Sequence, residues 1–232
     1  MRFPLWVAKP DDLSLSSPET LIPQLSQLGF EALLLDEKQW QQSAITHLAK
    51  QHQLQLIGLC NEPDQLIDCC QQTDFVQLSS NYTEHAETTQ ACQSEKPLLI
   101  CLSPENQQTV SQIVAALRKA NQLNHVCIYQ PSLQPLAADQ CNLATLGFLR
   151  QRYQCSVGWY DTTANPAVIL RVLQRWYAGM ITLQVSLNEE TASGWWSPAR
   201  VKALRQLLDE SAIADGTKLP MHDDIWNPTR QN

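Results

Sequence analysis

Several features that would point to particular functions are missing from this chain of 232 residues. No stretch reaches the roughly 18 apolar residues of a membrane-spanning helix, and the start, Met1 to Pro4, lacks the longer apolar run of a signal peptide. No basic block or stripe stands out, and the net charge is -7 with an isoelectric point near 5.2. These absences argue against nucleic acid and membranes as partners, so we expect a soluble, cytoplasmic protein.

Cysteine occurs eight times, but no two cysteines have the C-x-x-C spacing of a metal or redox motif. Several lie inside apolar segments, as Cys101 does between Ile100 and Leu102. A buried free thiol behaves as a small hydrophobic side chain. We therefore expect free thiols rather than disulfides or a metal site.

Short apolar segments alternate with helical patterns along the chain. Several helical runs begin with serine followed by proline, the usual start of a helix, as at Ser17, Ser103 and Ser197. The predicted strands are 4–8, 30–35, 54–59, 74–78, 97–102, 125–129, 155–160 and 180–187. The predicted helices are 18–28, 38–52, 63–70, 84–93, 104–121, 142–153, 167–177 and 198–208.

Eight strands that alternate with eight helices predict parallel pairing through crossover helices. Eight such units predict a closed (β/α)8 TIM barrel as a single domain over residues 1–210, followed by a C-terminal tail over 211–232. An open doubly wound sheet is the alternative. The first strand–helix turn has no glycine fingerprint for a dinucleotide, which weakens that alternative in its commonest functional form.

In such a barrel the chemistry takes place where the strands end. The candidate site residues are therefore the polar side chains at or just after the predicted strand ends: Lys9, Asp36, Asn61, Ser79, Ser80, Ser103, Tyr129, Tyr160, Asp161, Thr162, Thr163, Ser186 and Asn188. Each has a structural alternative, because these residue types also cap helices and form turns. The segment from Asp161 to Thr163, for example, is as well suited to cap the seventh helix as to bind a ligand.

The seventh strand and the turn after it, Val157-Gly158-Trp159-Tyr160-Asp161-Thr162-Thr163, resemble a motif of the N-acetylneuraminate (sialic acid) synthase family, roughly Val-Gly-Tyr-Ser-Asp-His-Thr. Segments 75–81 and 96–103 are similar to the family's Phe-Lys-Ile-Ala-Ser-Gly-Glu and Lys-Pro-Val-Ile-Leu-Ser-Thr-Gly, and 181–188 and 194–204 fit the order of its last segments. The resemblance implies a barrel that joins phosphoenolpyruvate to an N-acylated amino sugar with a divalent metal such as manganese.

Carried over by position, most functional residues of that family are replaced. The two metal-binding histidines fall on Thr162 and on Ser186 or Val185. The strand-one glutamate falls on Lys9, and two lysines fall on Leu34 and Gln77. The family's residues are retained at Ser79, Gly158, Asp161 and Thr163. Threonine and valine cannot replace imidazole as metal ligands, and the lost lysines would have paired with carboxylate and phosphate. We therefore predict neither a cofactor nor the condensation activity.

Three functional hypotheses remain open. The first is a divergent relative in nonulosonic acid or surface-carbohydrate biosynthesis that binds a small sugar or carboxylate ligand, or a partner protein. The second is an active, metal-free lyase or aldolase, with Lys9 as base or Schiff-base amine and with Tyr160 and Asp161 as its acid–base partners. The third is an unrelated sugar-phosphate barrel that uses the loops after strands seven and eight. Each hypothesis is compatible with a homodimer.

Overall fold

The computed structural model describes residues 5–10, 17–80, 96–120, 124–187 and 193–215. Within them, eight parallel strands pair in sequence order, and the first pairs with the eighth to close a barrel. The strands are β1 (Leu5–Pro10), β2 (Ala32–Leu35), β3 (Gln55–Cys60), β4 (Phe75–Leu78), β5 (Leu98–Leu102), β6 (His125–Tyr129), β7 (Ser156–Asp161) and β8 (Met180–Val185). The predicted (β/α)8 barrel is confirmed, and the closed β1–β8 pairing excludes the open sheet.

Helices connect successive strands around the barrel. They are α1 (Pro18–Gln27), α2 (Glu37–Trp40), α3 (Ser43–Gln51), α4 (Leu66–Gln72), α5 (Gln107–Lys119), α6 (Ala144–Tyr153), α7 (Pro166–Gln174) and α8 (Pro198–Asp215), with short 3-10 helices at Pro63–Gln65 and Ala138–Gln140. The helix predicted over 84–93 lies outside the described residues. Over the described ranges, none of the helices has the length and apolar character needed to span a bilayer.

The strands separate two apolar cores. In β7, Val157 and Trp159 pack into the larger core between the barrel and the helices, whereas Tyr160 packs with Val7 and Ile128 in the barrel interior. This division follows from the two-residue period of a strand, which sends successive side chains to opposite faces. Because both faces of a parallel barrel are covered, strands such as β2 are apolar at every position and fully buried.

Several helix boundaries differ from the predicted ones. The helix predicted over 38–52 is divided into α2 and α3 by a break after Trp40. The helix predicted from Pro104 begins only at Gln107, because the Asn106 side chain accepts a hydrogen bond from the Ser103 backbone and holds these residues in a turn. The last helix, predicted to end near residue 208, continues to Asp215.

Candidate functional site

The ends of β4 to β7 surround a cavity of about 360 Å³ at the carboxyl face of the barrel. Its lining residues lie on the connections that follow these strands: Ser80, Ser103, Glu105, Gln130, Pro131, Ser132, Gln134 and Thr162. Most carry a hydroxyl or a carboxamide, groups that both donate and accept hydrogen bonds. Neither lysine nor arginine is among these described lining residues. The cavity is therefore suited to a ligand rich in hydroxyl groups and lacks the cations that bind phosphate tightly.

Among the described lining residues, Glu105 alone carries a carboxylate. The Ser132 hydroxyl donates to its two oxygens at 2.9 and 2.8 Å. Hydrogen bonds from Ser103 and then Ser132 hold the pKa of this carboxyl below its ordinary value. Glu105 is thus ionised at neutral pH and gives the outer rim of the cavity a negative charge.

The loop after β6 is attached to the end of β7 through Thr162. The Thr162 hydroxyl donates to the carbonyl of Leu133 at 3.2 Å, and the Leu136 N–H donates to the Thr162 carbonyl at 3.1 Å. Gly194, in the segment after β8, passes so close that a Cβ atom there would lie 2.7 Å from the same carbonyl. These contacts join three separate segments of the chain at Thr162, which lines the cavity.

Lys9 and Tyr160 meet at the mouth of the barrel interior, as predicted from their strand-end positions. The Lys9 Nζ atom lies 5.7 Å from the centre of the Tyr160 ring. Gln184, the strand neighbour of Lys9, donates to the Tyr160 hydroxyl at 3.0 Å and accepts a hydrogen bond from Gln134 on the cavity wall. A chain of polar side chains therefore links the lysine–tyrosine pair to the cavity.

Asp161 does not join this pair. Its carboxylate is fully buried on the outer side of β7 and accepts four hydrogen bonds. The donors are Trp159 Nε1 at 3.0 Å, Trp196 Nε1 at 2.7 Å, the Thr163 hydroxyl at 2.8 Å and the Ala164 N–H at 2.9 Å. Burial raises the pKa of the Asp161 carboxyl, against the lowering effect of these bonds. The geometry disagrees with the predicted acid–base role, because the side chain faces away from Lys9 and is already fully bonded.

Tyr129 and Thr163 also face away from the cavity, contrary to the predicted ligand-binding role. Tyr129 lies in the outer core with its ring centre 5.7 Å from that of Trp159, and burial raises the pKa of its hydroxyl. The Thr163 hydroxyl donates to Asp161 and accepts from the N–H of Asn165. Asn165, two residues after Thr163, caps α7, so the cap lies just beyond the segment that the sequence suggests for this role.

Some of the remaining candidate residues have a structural role, and the others have no role that the structure assigns. Asp36 is exposed and caps α2, with its carboxylate accepting from the Gln39 N–H at 3.0 Å. Asn61 is exposed, and Ser186 is buried with its N–H donating to the Trp196 carbonyl. The Ser79 hydroxyl is buried without a hydrogen-bond partner in the described part of the chain. Asn188 lies outside the described residues.

Sequence reasoning missed part of the cavity wall, namely Glu105, Ser132 and Gln134. These residues do not directly follow a strand, so the rule that selected strand ends passed over them. The one available signal was the length of the polar segment between β6 and α6, since long connections in compact domains are often functional.

The metal that the family resemblance implies does not fit the residues present. By the resemblance, the two histidines fall on Thr162 and on Ser186 or Val185, and the Thr162 hydroxyl is bonded to a backbone carbonyl. No cluster of three or more His, Cys, Asp or Glu side chains that could hold a metal occurs within the described residues. Neutral hydroxyls alone are poor ligands for a transition metal. Binding or catalysis at this site would therefore depend on its own side chains.

No protein-family model and no curated protein sequence matches the chain. Its fold, however, matches many solved structures. The N-acetylneuraminic acid (sialic acid) synthetase of Leptospira borgpetersenii, solved with citrate, superimposes with a TM-score of 0.78 at 10% identity, over 99% of this chain and 93% of that one. The phospho-2-dehydro-3-deoxyheptonate aldolase (DAHP synthase) of Thermotoga maritima superimposes with a TM-score of 0.72 at 14% identity, over 94% of this chain and 72% of that one.

A spore coat polysaccharide biosynthesis protein of Bacillus subtilis gives the same TM-score of 0.72 at 14% identity, over 94% of this chain and 71% of that one. Identities this low establish a common fold and not a common activity. The chain is thus a TIM barrel similar in fold to these synthases, which agrees with the fold expected from the motif after Val157.

Proposed function

We propose that this protein is a divergent, sialic acid synthase-like barrel that binds a small polyhydroxylated ligand of carbohydrate biosynthesis and does not catalyse metal-dependent condensation with phosphoenolpyruvate. The observation that carries the proposal is the lining of the 360 Å³ cavity by hydroxyls and carboxamides. A sugar ring offers alternating donors and acceptors to such groups. The cavity volume is at the lower end of the range for small-molecule sites.

Charge argues against phosphoenolpyruvate as the ligand. That molecule carries a phosphate and a carboxylate, which proteins bind with arginine or lysine. At the two family lysine positions, Leu34 packs in the apolar barrel interior and Gln77 donates to Cys101 Sγ at 3.1 Å. The negative rim at Glu105 would further repel a polyanion. Lys9 can pair with a single carboxylate, so a sugar or a sugar acid suits the site better.

The test is a calorimetric and thermal-shift titration of the full chain with N-acetylhexosamines, N-acetylneuraminate, phosphoenolpyruvate, phosphate and Mn²⁺. A ligand at a hundredfold excess over Kd adds about 2.7 kcal/mol to the free energy of unfolding, or roughly 5–10 °C in Tm for a chain of this size. We expect a shift with a sugar. Gln130→Ala should remove it, whereas Gln72→Ala, on the exposed surface of α4, should not. A rise in Tm with phosphoenolpyruvate by itself, or with Mn²⁺ by itself, would contradict the proposal.

The contact between Lys9 and Tyr160 favours a second candidate, a metal-free lyase or aldolase. The Lys9 amine would attack a substrate carbonyl, with loss of water, to form an imine, and the hydroxyl of the neighbouring Tyr160 is the candidate acid–base group. Sodium borohydride treatment in the presence of pyruvate should then attach the reduced adduct to Lys9, and Lys9→Met should abolish labelling. Unlabelled Lys9 in the unaltered protein excludes this candidate.

A sugar-phosphate site has less support. The described lining of the mouth cavity contains no basic side chain, and Thr162, one of its expected donors, is bonded to the Leu133 carbonyl. Inorganic phosphate in the titration above tests this third hypothesis directly, and a clear shift with phosphate would favour it over the first.

A further inference from the structure

A second cavity, of about 750 Å³, lies on the opposite face of the barrel, where β6 and β7 begin. His125, Arg150, Cys155 and Tyr177 are among its lining residues, and no described lining residue is acidic. The proposed ligand site does not use this face. Three properties of the cavity point to thiol chemistry: a pair of sulfurs, a buried imidazole and a positive local charge.

The two sulfurs belong to Cys127 and Cys155. Cys127 lies on β6 opposite Val157 of β7, and Cys155 comes two residues before Val157, on the same side of the sheet. Their side chains pack in the same part of the core and lie close enough for each thiol to shift the pKa of the other. Cys127 is buried, whereas Cys155 is half-buried and lines the cavity. A small reagent in the cavity therefore reaches Cys155 first, with Cys127 directly behind it.

The surroundings favour a thiolate at Cys155. The neighbouring Cys127 thiol and then His125 lower the pKa of the Cys155 thiol, against the opposing effect of burial. The shared proton stays on Cys127, whose pKa is raised by the same contact. His125 is only 6% exposed, and neither ring nitrogen has a hydrogen-bond partner of regular geometry among the described residues. The thiolate is the reactive form of cysteine, and nearby cations stabilise it.

We propose that Cys155 is an oxidant-sensitive nucleophile and that Cys127 is its resolving partner in this cavity. The oxidant is hydrogen peroxide or another small hydroperoxide. The Cys155 sulfur attacks a peroxide oxygen, the O–O bond breaks, and sulfenic acid forms as hydroxide leaves. The Cys127 sulfur then loses its proton, attacks the sulfenic sulfur and displaces a second hydroxide. The two hydroxides take up two protons, so two thiols and one peroxide give one disulfide and two waters.

Local geometry allows the sulfurs to approach. Cys155 precedes the first residue of β7 and follows Gln154, which ends α6 in the left-handed conformation with φ of 45°. Closing the bond therefore requires movement at the connection between α6 and β7, while Cys127 stays in its strand. A disulfide needs Cβ atoms roughly 4 Å apart, so Cys155 has to shift toward Cys127 when the bond forms.

The experiment treats the full-length, reduced protein with hydrogen peroxide and maps its peptides by mass spectrometry without reduction. We expect a Cys127–Cys155 disulfide that dithiothreitol reverses. Cys127→Ser should instead accumulate a sulfenic acid at Cys155 that dimedone traps, and Cys155→Ser should leave Cys127 reduced. Cys70→Ser, at another half-buried thiol, is the matched control and should still form the disulfide.

A second measurement needs no variant. Iodoacetamide at neutral pH should alkylate Cys155 at least about tenfold faster than Cys70, because the lowered pKa of Cys155 favours its thiolate. Equal rates would overturn the assignment of Cys155 as the nucleophile. Sulfinic acid at Cys155 with Cys127 still a thiol would overturn the resolving role of Cys127.

Discussion

The Asp161 carboxylate is predicted to be a major source of stability rather than a catalytic group. Its four donors come from β7, from the turn before α7 and from Trp196 after β8. Asp161→Ala leaves these groups buried and unbonded. The Thr163 hydroxyl can rotate to another acceptor, but the two indole N–H groups and the Ala164 N–H cannot.

The size of the effect follows from those three fixed donors. A buried donor left without a partner costs about 1–3 kcal/mol, so three give about 3 kcal/mol or more. Removal of a buried charge offsets part of this sum. We therefore expect Asp161→Ala to lower the free energy of unfolding by about 3 kcal/mol, which corresponds to a Tm lower by roughly 6–12 °C in a chain of this length.

Urea unfolding followed by circular dichroism measures this change, with Asp68→Ala on the exposed surface of α4 as the control. The control should change the free energy of unfolding by less than about 1 kcal/mol, since only a weak helix-dipole interaction is lost. If Asp161→Ala costs no more than the control, the four hydrogen bonds are not stabilising and the reasoning fails.

The pH dependence provides an independent check on the same residue. Burial raises the pKa of Asp161, so the folded state holds the proton at pH values where the unfolded state has lost it. The contribution of Asp161 to stability should therefore decrease as pH rises from about 4, the ordinary pKa of aspartate, through the raised value. Subtracting the stability curve of Asp161→Asn isolates this slope. A slope of opposite sign would mean that the four donors outweigh burial.

Three further substitutions test the structure elsewhere. Gly58→Ala should destabilise the barrel by about 1–3 kcal/mol in chemical denaturation, because the new Cβ would lie 2.2 Å from Cys69 Sγ; an unchanged midpoint would show that this contact is not tight. Asp36→Ala removes the cap of α2 and should cost about 1 kcal/mol by the same method, whereas Asp36→Asn should retain most of it. Gly194→Ala adds a side chain where φ is +91° and where the backbone approaches Thr162 closely. It should lower Tm and weaken sugar binding together. If neither Tm nor sugar binding changes, this segment does not support the site.

Much of the barrel could be predicted from local patterns. Short apolar segments such as Leu98 to Leu102, each followed by a polar turn and a helical run, are sufficient to define the repeating unit. The rule that sites lie at strand ends also selects Ser80, Ser103 and Thr162, which line the cavity, and Lys9, which lies beside Tyr160. Local patterns are enough for these inferences, since strand period and strand ends are properties of neighbouring residues.

Only the tertiary structure decided which way the strand-end side chains point. A strand that is buried on both faces carries no polar alternation, so nothing local to β7 shows that Tyr160 faces the interior and Asp161 the helices. Trp196, which holds Asp161, and Cys127, which meets Cys155, are distant in sequence from their partners. Closure of the barrel brings them together, because it sets the register and tilt of all eight strands at once.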